Sequence, residues 1–154
     1  MRFFITLIAY ISFAFSNQYT FLVNKYDKEI ELEAKIISNI AKSSMKGKTK
    51  LFIPKISDLE KKVYSKYFTL SETCEDSNFI FINKTIDEKQ LCNTTDKLFF
   101  TNNYKKLIAD KKYFGAFFWS KSRPNIVFIS KRLKEMNIKL PKNYNQFIEY
   151  FNEK

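Results

Sequence analysis

A chain of 154 residues can bury the core of one domain, and this one is basic, with 27 Lys and Arg against 16 Asp and Glu for a net charge of +11. It holds no histidine, two cysteines and two glycines. That excludes Ser-His-Asp and Cys-His catalysis, histidine-ligated zinc and glycine-rich phosphate loops.

Met1-Arg2 gives a positive start, and Phe3–Phe15 is almost wholly apolar. The run falls short of the roughly 20 residues of a membrane-spanning helix, and Ala14-Phe15-Ser16 offers the small residues that signal peptidase reads. Residues 1–16 are therefore expected to be a cleaved secretory signal. Residues 17–154 then form one exported domain with no transmembrane segment. Lysines are scattered along it without a block of like charge, so the basicity reads as composition. After export, Cys74 and Cys92 are expected to form one disulfide, worth roughly 3 kcal/mol by loop closure. Free thiols and a redox switch remain the alternatives.

From Tyr26, Ile30, Ala34, Ile37 and Ala41 recur at helical spacing, and Ser43-Ser44 and Gly47 end the pattern. Lys50–Pro54 reads as a short buried strand. Ser57 and Glu60 have capping-box spacing and open a helix with Leu59, Val63 and Tyr67 on its inner face. Asn78–Ile82 and Lys97–Thr101 read as strands, and Thr85–Leu91 as a short helix between them. Asn102 or Asn103 caps a brief helix through Leu107 and Ile108. Ser130 is expected to cap a helix with Leu133 and Met136 that stops near Asn137. Asn143 and Gln146 suggest a last capping box, with Tyr144, Phe147, Ile148 and Phe151 as the stripe of a C-terminal helix. Strands alternating with helices predict an α/β fold: a single domain with a mixed sheet of about five short strands and flanking helices.

The most informative stretch is Tyr113–Phe128, YFGAFFWSKSRPNIVF, with the only tryptophan. Its aromatic and β-branched halves predict two antiparallel strands joined by the basic connector Ser120–Pro124. Alternation sets Phe117 and Trp119 on one face and Phe118 on the other. Phe117, Trp119, Lys121, Arg123, Pro124 and Asn125 are the candidate binding residues. Aromatics beside arginine suit a protein partner, whereas Lys121, Arg123 and Asn125 beyond the strand ends suit a small anion. The plain alternative is a core hairpin with an exposed loop. Stacking on single-stranded nucleic acid uses the same residue types, but export argues against such a partner. Glu29, Glu31 and Glu33 sit near the first helix's start, where dipole and solvent account for them. No motif indicates an enzyme, a metal or a cofactor.

Residues 115–150 resemble the C-terminal part of small exported proteins of the YfiR-like type. The likeness rests on glycine-led Gly115, on Ile126-Val127-Phe128-Ile129, and on Leu133, Asn137-Ile138 and Leu140. Cys74 before the strand at Phe79–Ile82 matches as well. The segment is also similar to exported proteins with an FFW…RPN core. The chain differs in having one cysteine pair where better-known YfiR-like members have two, and in its Asn143–Phe151 ending. The resemblance implies a periplasmic α/β regulator that binds the external sensor domain of an inner-membrane signalling enzyme, often a diguanylate cyclase. It also implies possible self-association and a disulfide that maintains the competent conformation.

Overall fold

The computed structural model describes residues 26–83 and 96–151. The expected signal at 1–16, the helix expected at Thr85–Leu91 and Cys92 lie outside the described residues. Helix α1 spans residues 26–44 and buries Ile30, Ala34, Ile37, Ile40 and Ala41, the stripe that its spacing sets on one side. Gly47 takes φ +99°, a turn conformation glycine adopts without strain. Strand β1 (Lys50–Phe52) leads to α2 (Asp58–Tyr64) and to β2 (Thr69–Leu70). There follow β3 (Phe79–Ile82), β4 (Leu98–Thr101), α3 (Tyr104–Ala109), β5 (Tyr113–Ser120), β6 (Arg123–Ile129) and α4 (Ser130–Glu135). A 3-10 helix (Lys142–Phe147) and β7 (Ile148–Glu149) complete the described chain.

These strands form one seven-stranded sheet in the order β2-β1-β3-β4-β5-β6-β7. Only β5 and β6 run antiparallel; the other neighbours are parallel. The fold is thus the expected single α/β domain with a mixed sheet, with seven strands rather than about five. The two additions, β2 and β7, are two-residue edge strands, too short to carry an alternation. Strand β3, FIFI, is buried on both faces, and a continuous apolar run is what a covered parallel strand requires.

The core has two layers. Phe79, Phe81, Phe100, Phe114, Phe117 and Phe128 pack with α1 and α2, while Ile80, Ile82, Phe99, Tyr113, Val127 and Ile129 pack with Leu107 of α3. Along β5 the alternation breaks once. Phe99 pairs with Tyr113 but Phe100 pairs with Gly115, which leaves Phe114 as the extra residue of a β-bulge. A Cβ at Gly115 would lie 2.6 Å from the Phe100 ring and 2.7 Å from the Phe128 ring, so only glycine fits. Beyond the bulge the parity is switched. Phe117 and Trp119 therefore face the α1–α2 layer and Phe118 the α3 layer, the division expected from alternation.

Local expectations meet mixed outcomes. The Ser57–Glu60 capping box is present, but α2 turns Glu60, Val63 and Tyr64 inward and leaves Leu59 exposed. Asn103 is the cap of α3, accepting from the backbone N–H groups of Lys105 and Lys106. Ser130 is not a cap: Ile129 holds that position, and Ser130 is buried inside α4. Helix α4 ends in a Schellman motif, with Ile138 N–H donating to Leu133 and Asn137 N–H to Lys134, and Asn137 in the left-handed region at φ +53°. The C-terminal helix is shorter than its stripe suggested. It starts after Pro141 with no side-chain cap, and Ile148 and Glu149 leave it to pair with Phe128 and Ile129. Pairing with an open sheet edge outcompetes two further helical residues.

A crevice at the strand ends and a hairpin tip beside it

The sheet reverses its winding between β1 and β3: β2 lies on the far side of β1, and β4 on the far side of β3. Open α/β sheets bind ligands outside the carboxyl ends of their strands at such a point. Here it holds a crevice of about 250 Å³. Asn83 follows β3, Asn102 follows β4, and Trp119 comes from the end of β5. The first turns of α1 contribute Tyr26, Glu29, Ile30 and Glu33, and the first turn of α2 contributes Glu60.

Its rim is tied by hydrogen bonds. Asn102 Nδ2 donates to the Asn83 carbonyl at 2.8 Å, and Asn83 Nδ2 donates to Glu60 Oε1 at 3.0 Å. Glu60 Oε2 accepts from the Ser57 amide at 2.8 Å and the Ser57 hydroxyl at 2.6 Å. Asn83 Oδ1 is buried without a donor. The capping box thus holds Glu60 as a fixed acceptor at the crevice wall.

Glu33 is placed differently. Its Oε1 accepts from the Tyr64 hydroxyl at 2.7 Å, a single bond from α2. Burial pushes its carboxyl up to about 7, the Tyr64 bond pulls it down, and the charge of Glu60 raises it further. The Tyr64 phenol is raised well above its usual range, first by burial and then by Glu33. A carboxyl so perturbed inside a cleft marks a functional-site candidate. In a chain carrying 27 Lys and Arg, the described residues of the crevice lining include three glutamates and neither lysine nor arginine. Among the described residues no group of His, Cys, Asp and Glu is arranged to hold a metal ion.

The residues singled out from sequence divide into three groups. Phe117 is wholly buried and packs edge-to-face against Trp119 at 5.7 Å, so it belongs to the core rather than to a binding surface. Trp119 is half-buried and lines the crevice. Lys121, Arg123 and Pro124 are exposed on the hairpin tip, and half-buried Asn125 donates from Nδ2 to the Arg123 carbonyl at 3.0 Å. The connector is two residues long, not five: Lys121 and Ser122 form the turn at φ +49° and +61°, and Arg123 and Pro124 already belong to β6. Positive φ at both central positions is the type I′ pattern, where Asn-Gly is the relaxed choice. Cys74 is buried and disulfide-bonded, and the chain's one other cysteine is Cys92.

Glu33, Glu60, Asn83 and Asn102 were not candidates on sequence grounds, and Glu33 in particular is not the solvated helix-start residue it resembled. Its position carried a signal: it lies three residues after Ile30 and four before Ile37, on the apolar stripe. A second hollow, of about 310 Å³, lies between α2 and the β1–β2 edge and is lined largely by Leu51, Ile53, Ile56 and Leu70. Of its lysines, Lys61 faces Glu72 at 3.9 Å. Comparison with protein-family models, with characterised proteins and with solved structures found no match.

Proposed function

We propose that this chain is a non-enzymatic recognition protein of the cell envelope. It takes a small donor-bearing or cationic ligand in the crevice at the strand ends. The observation that carries this reading is the lining: three carboxylates, amide oxygens and the Trp119 ring gathered at a topological switch point, in a protein otherwise rich in cations. An ammonium or hydroxyl donor meets acceptors there, and an aromatic wall attracts a cation. A small anion, the ligand class first considered for this end of the sheet, meets like charge.

A second reading adds a protein partner at the hairpin tip, and the turn favours it. Lys121 and Ser122 sit in left-handed conformations that cost non-glycine residues stability, and such strain clusters where side-chain identity serves function. The partner class that the YfiR-like resemblance suggests is the external sensor domain of an inner-membrane signalling enzyme such as a diguanylate cyclase. The crevice and the tip adjoin through Trp119, so a ligand in one alters the support of the other.

Trp119, the only tryptophan, reports on the crevice directly. Its emission is to be followed while the purified protein is titrated with primary ammonium compounds and, separately, with carboxylates and phosphates of similar size. Saturable change with the ammonium set alone is expected. Silence with both sets, or a response to the anions, removes the crevice reading. For the tip, capture of a membrane sensor from envelope extract is expected to disappear in Arg123→Ala while the melting temperature stays unchanged. Undiminished capture by that variant removes the tip as the contact.

A further inference from the structure

The crevice and the hairpin tip stand where the parallel strands end. The opposite end, where those strands begin, gathers lysines that the sequence scatters. Helix α1 finishes there, a short loop before β1, with Ser44 Oγ donating to the Ile40 carbonyl at 2.8 Å. The loop carries Lys46 and Lys48 on either side of Gly47, and Asn78 clamps it: Nδ2 donates to the Lys48 carbonyl at 2.9 Å, and Oδ1 accepts from the Lys50 amide at 2.8 Å. The stretch after α4 comes alongside. The Ser43 side chain hydrogen-bonds the Tyr144 phenol, and Met45 and Leu140 pack against one core. Around that seam Lys42, Lys46, Lys48, Lys139 and Lys142 are all exposed. The dipole at the end of α1 accounts for Lys42 and Lys46, but not for the pair that arrives from the far end of the chain. Strand β7 runs parallel to β6 and finishes beside Ile129, so Tyr150 and Phe151 leave the sheet at this same end, 82% and 38% exposed.

We propose that this edge is a docking surface for an anionic lipid bilayer. A sheet of lipid phosphates meets cations presented side by side from two separate segments. Exposed tyrosine and phenylalanine suit the headgroup layer, where a ring has water on one side and acyl chain on the other. Each lysine held at an anionic surface contributes roughly fivefold in affinity, so three of them are worth on the order of 100-fold. Single-stranded nucleic acid is bound by the same residue types, and lipid is favoured because the chain is read as an envelope protein. Docked by this edge, the domain holds its crevice and hairpin tip at the end away from the lipid. A ligand or partner there does not compete with the membrane, and the edge binds lipid whether or not the crevice takes a cation.

Co-sedimentation of the purified chain with vesicles tests the surface. One set holds equal parts phosphatidylglycerol and phosphatidylcholine, and the other phosphatidylcholine alone, which gives the baseline due to the apolar Phe3–Phe15 stretch. Saturable binding to the anionic set above that baseline is expected, weakening as salt is raised. Lys46→Gln/Lys139→Gln/Lys142→Gln should lose on the order of 100-fold in affinity at an unchanged melting temperature. Lys28→Gln/Lys62→Gln/Lys105→Gln, which removes the same charge elsewhere, should stay close to wild type. Tyr150→Ala/Phe151→Ala should weaken vesicle binding and leave retention on heparin unchanged. Equal binding to both vesicle sets, equal loss in the two lysine triples, or an aromatic variant that binds vesicles like wild type overturns the proposal. The last outcome, with tight binding to heparin or single-stranded DNA, would make the edge a general polyanion surface. Should the aromatic variant fail to fold, the two lysine triples decide.

Discussion

Two buried charged side chains show how differently this fold treats its ions. Arg132 on α4 is wholly enclosed, and its Nη1 donates to the carbonyls of Leu107 at 2.6 Å, Asp110 at 2.9 Å and Tyr113 at 2.6 Å. Those carbonyls close α3 and open β5, so the guanidinium satisfies the C-terminal end of one helix and ties it to the sheet. Glu33 on α1 has one phenol and a like-charged neighbour. A charge surrounded by dipoles of the right sign is structural scaffolding. A charge left with little compensation in a crevice titrates in the working range and is available to a ligand.

The largest effect is expected where the first case is broken. Arg132→Ala takes the guanidinium donor from the buried Leu107 and Tyr113 carbonyls, while the Asp110 carbonyl keeps the Tyr113 N–H, and at about 1–3 kcal/mol for each unsatisfied group the loss should reach roughly 2–6 kcal/mol. A lowered denaturant midpoint would show it, at pH 6 and pH 8 alike.

Removing the second charge should instead help, and only at higher pH. The Glu33 carboxyl lies at about 7 in the folded chain against an ordinary 4.5. The folded state thus keeps a proton that the unfolded state has released. Stability falls as the pH rises from about 4.5 to 7 and levels off above. Glu33→Gln abolishes that fall, so above pH 7 it should be more stable than wild type by roughly 2 kcal/mol, discounted for partial exposure. Melting at pH 4 and pH 8 measures the difference, and nearly equal curves at pH 4, below the ordinary carboxylate range, are part of the prediction.

Next comes the bulge that aims Trp119 into the crevice. Gly115→Ala forces a methyl against Phe100 and Phe128 and should cost about 1–3 kcal/mol. It should also move the tryptophan emission, because the strand relaxes its register. The smallest effect belongs to the tip. Replacing Lys121-Ser122 by Asn-Gly relieves two left-handed residues, with a gain of about 0.5–1 kcal/mol and reduced partner capture.

Much of the scaffold was legible because it obeys local rules. The α1 stripe, the Ser57–Glu60 box, the Asn103 cap and the apolar runs of β3 and β4 each follow from spacing and side-chain type alone. Ser130 and the final stripe misled, since a cap and a helix compete with pairing to an open edge that only the assembled sheet provides. The crevice was hidden for a similar reason. Glu60 is recognisable as a capping residue, but its second role arises because Asn83, 23 positions later, reaches it. Glu33 broke an apolar stripe, which is visible, yet the phenol that receives it comes from Tyr64, 31 residues away. The hairpin was half legible. Alternation placed Trp119 with Phe117, but the type I′ turn and the burial of Phe117 depend on the sheet around them.

The most direct test of the contrast between the two charges is the side-chain carboxyl ¹³C titration of Glu33 in uniformly labelled protein. A midpoint near pH 7, displaced upward in Tyr64→Phe, is the predicted result. A midpoint in the ordinary carboxylate range near 4.5 would mean that Glu33 is as well compensated as Arg132, and would contradict the account.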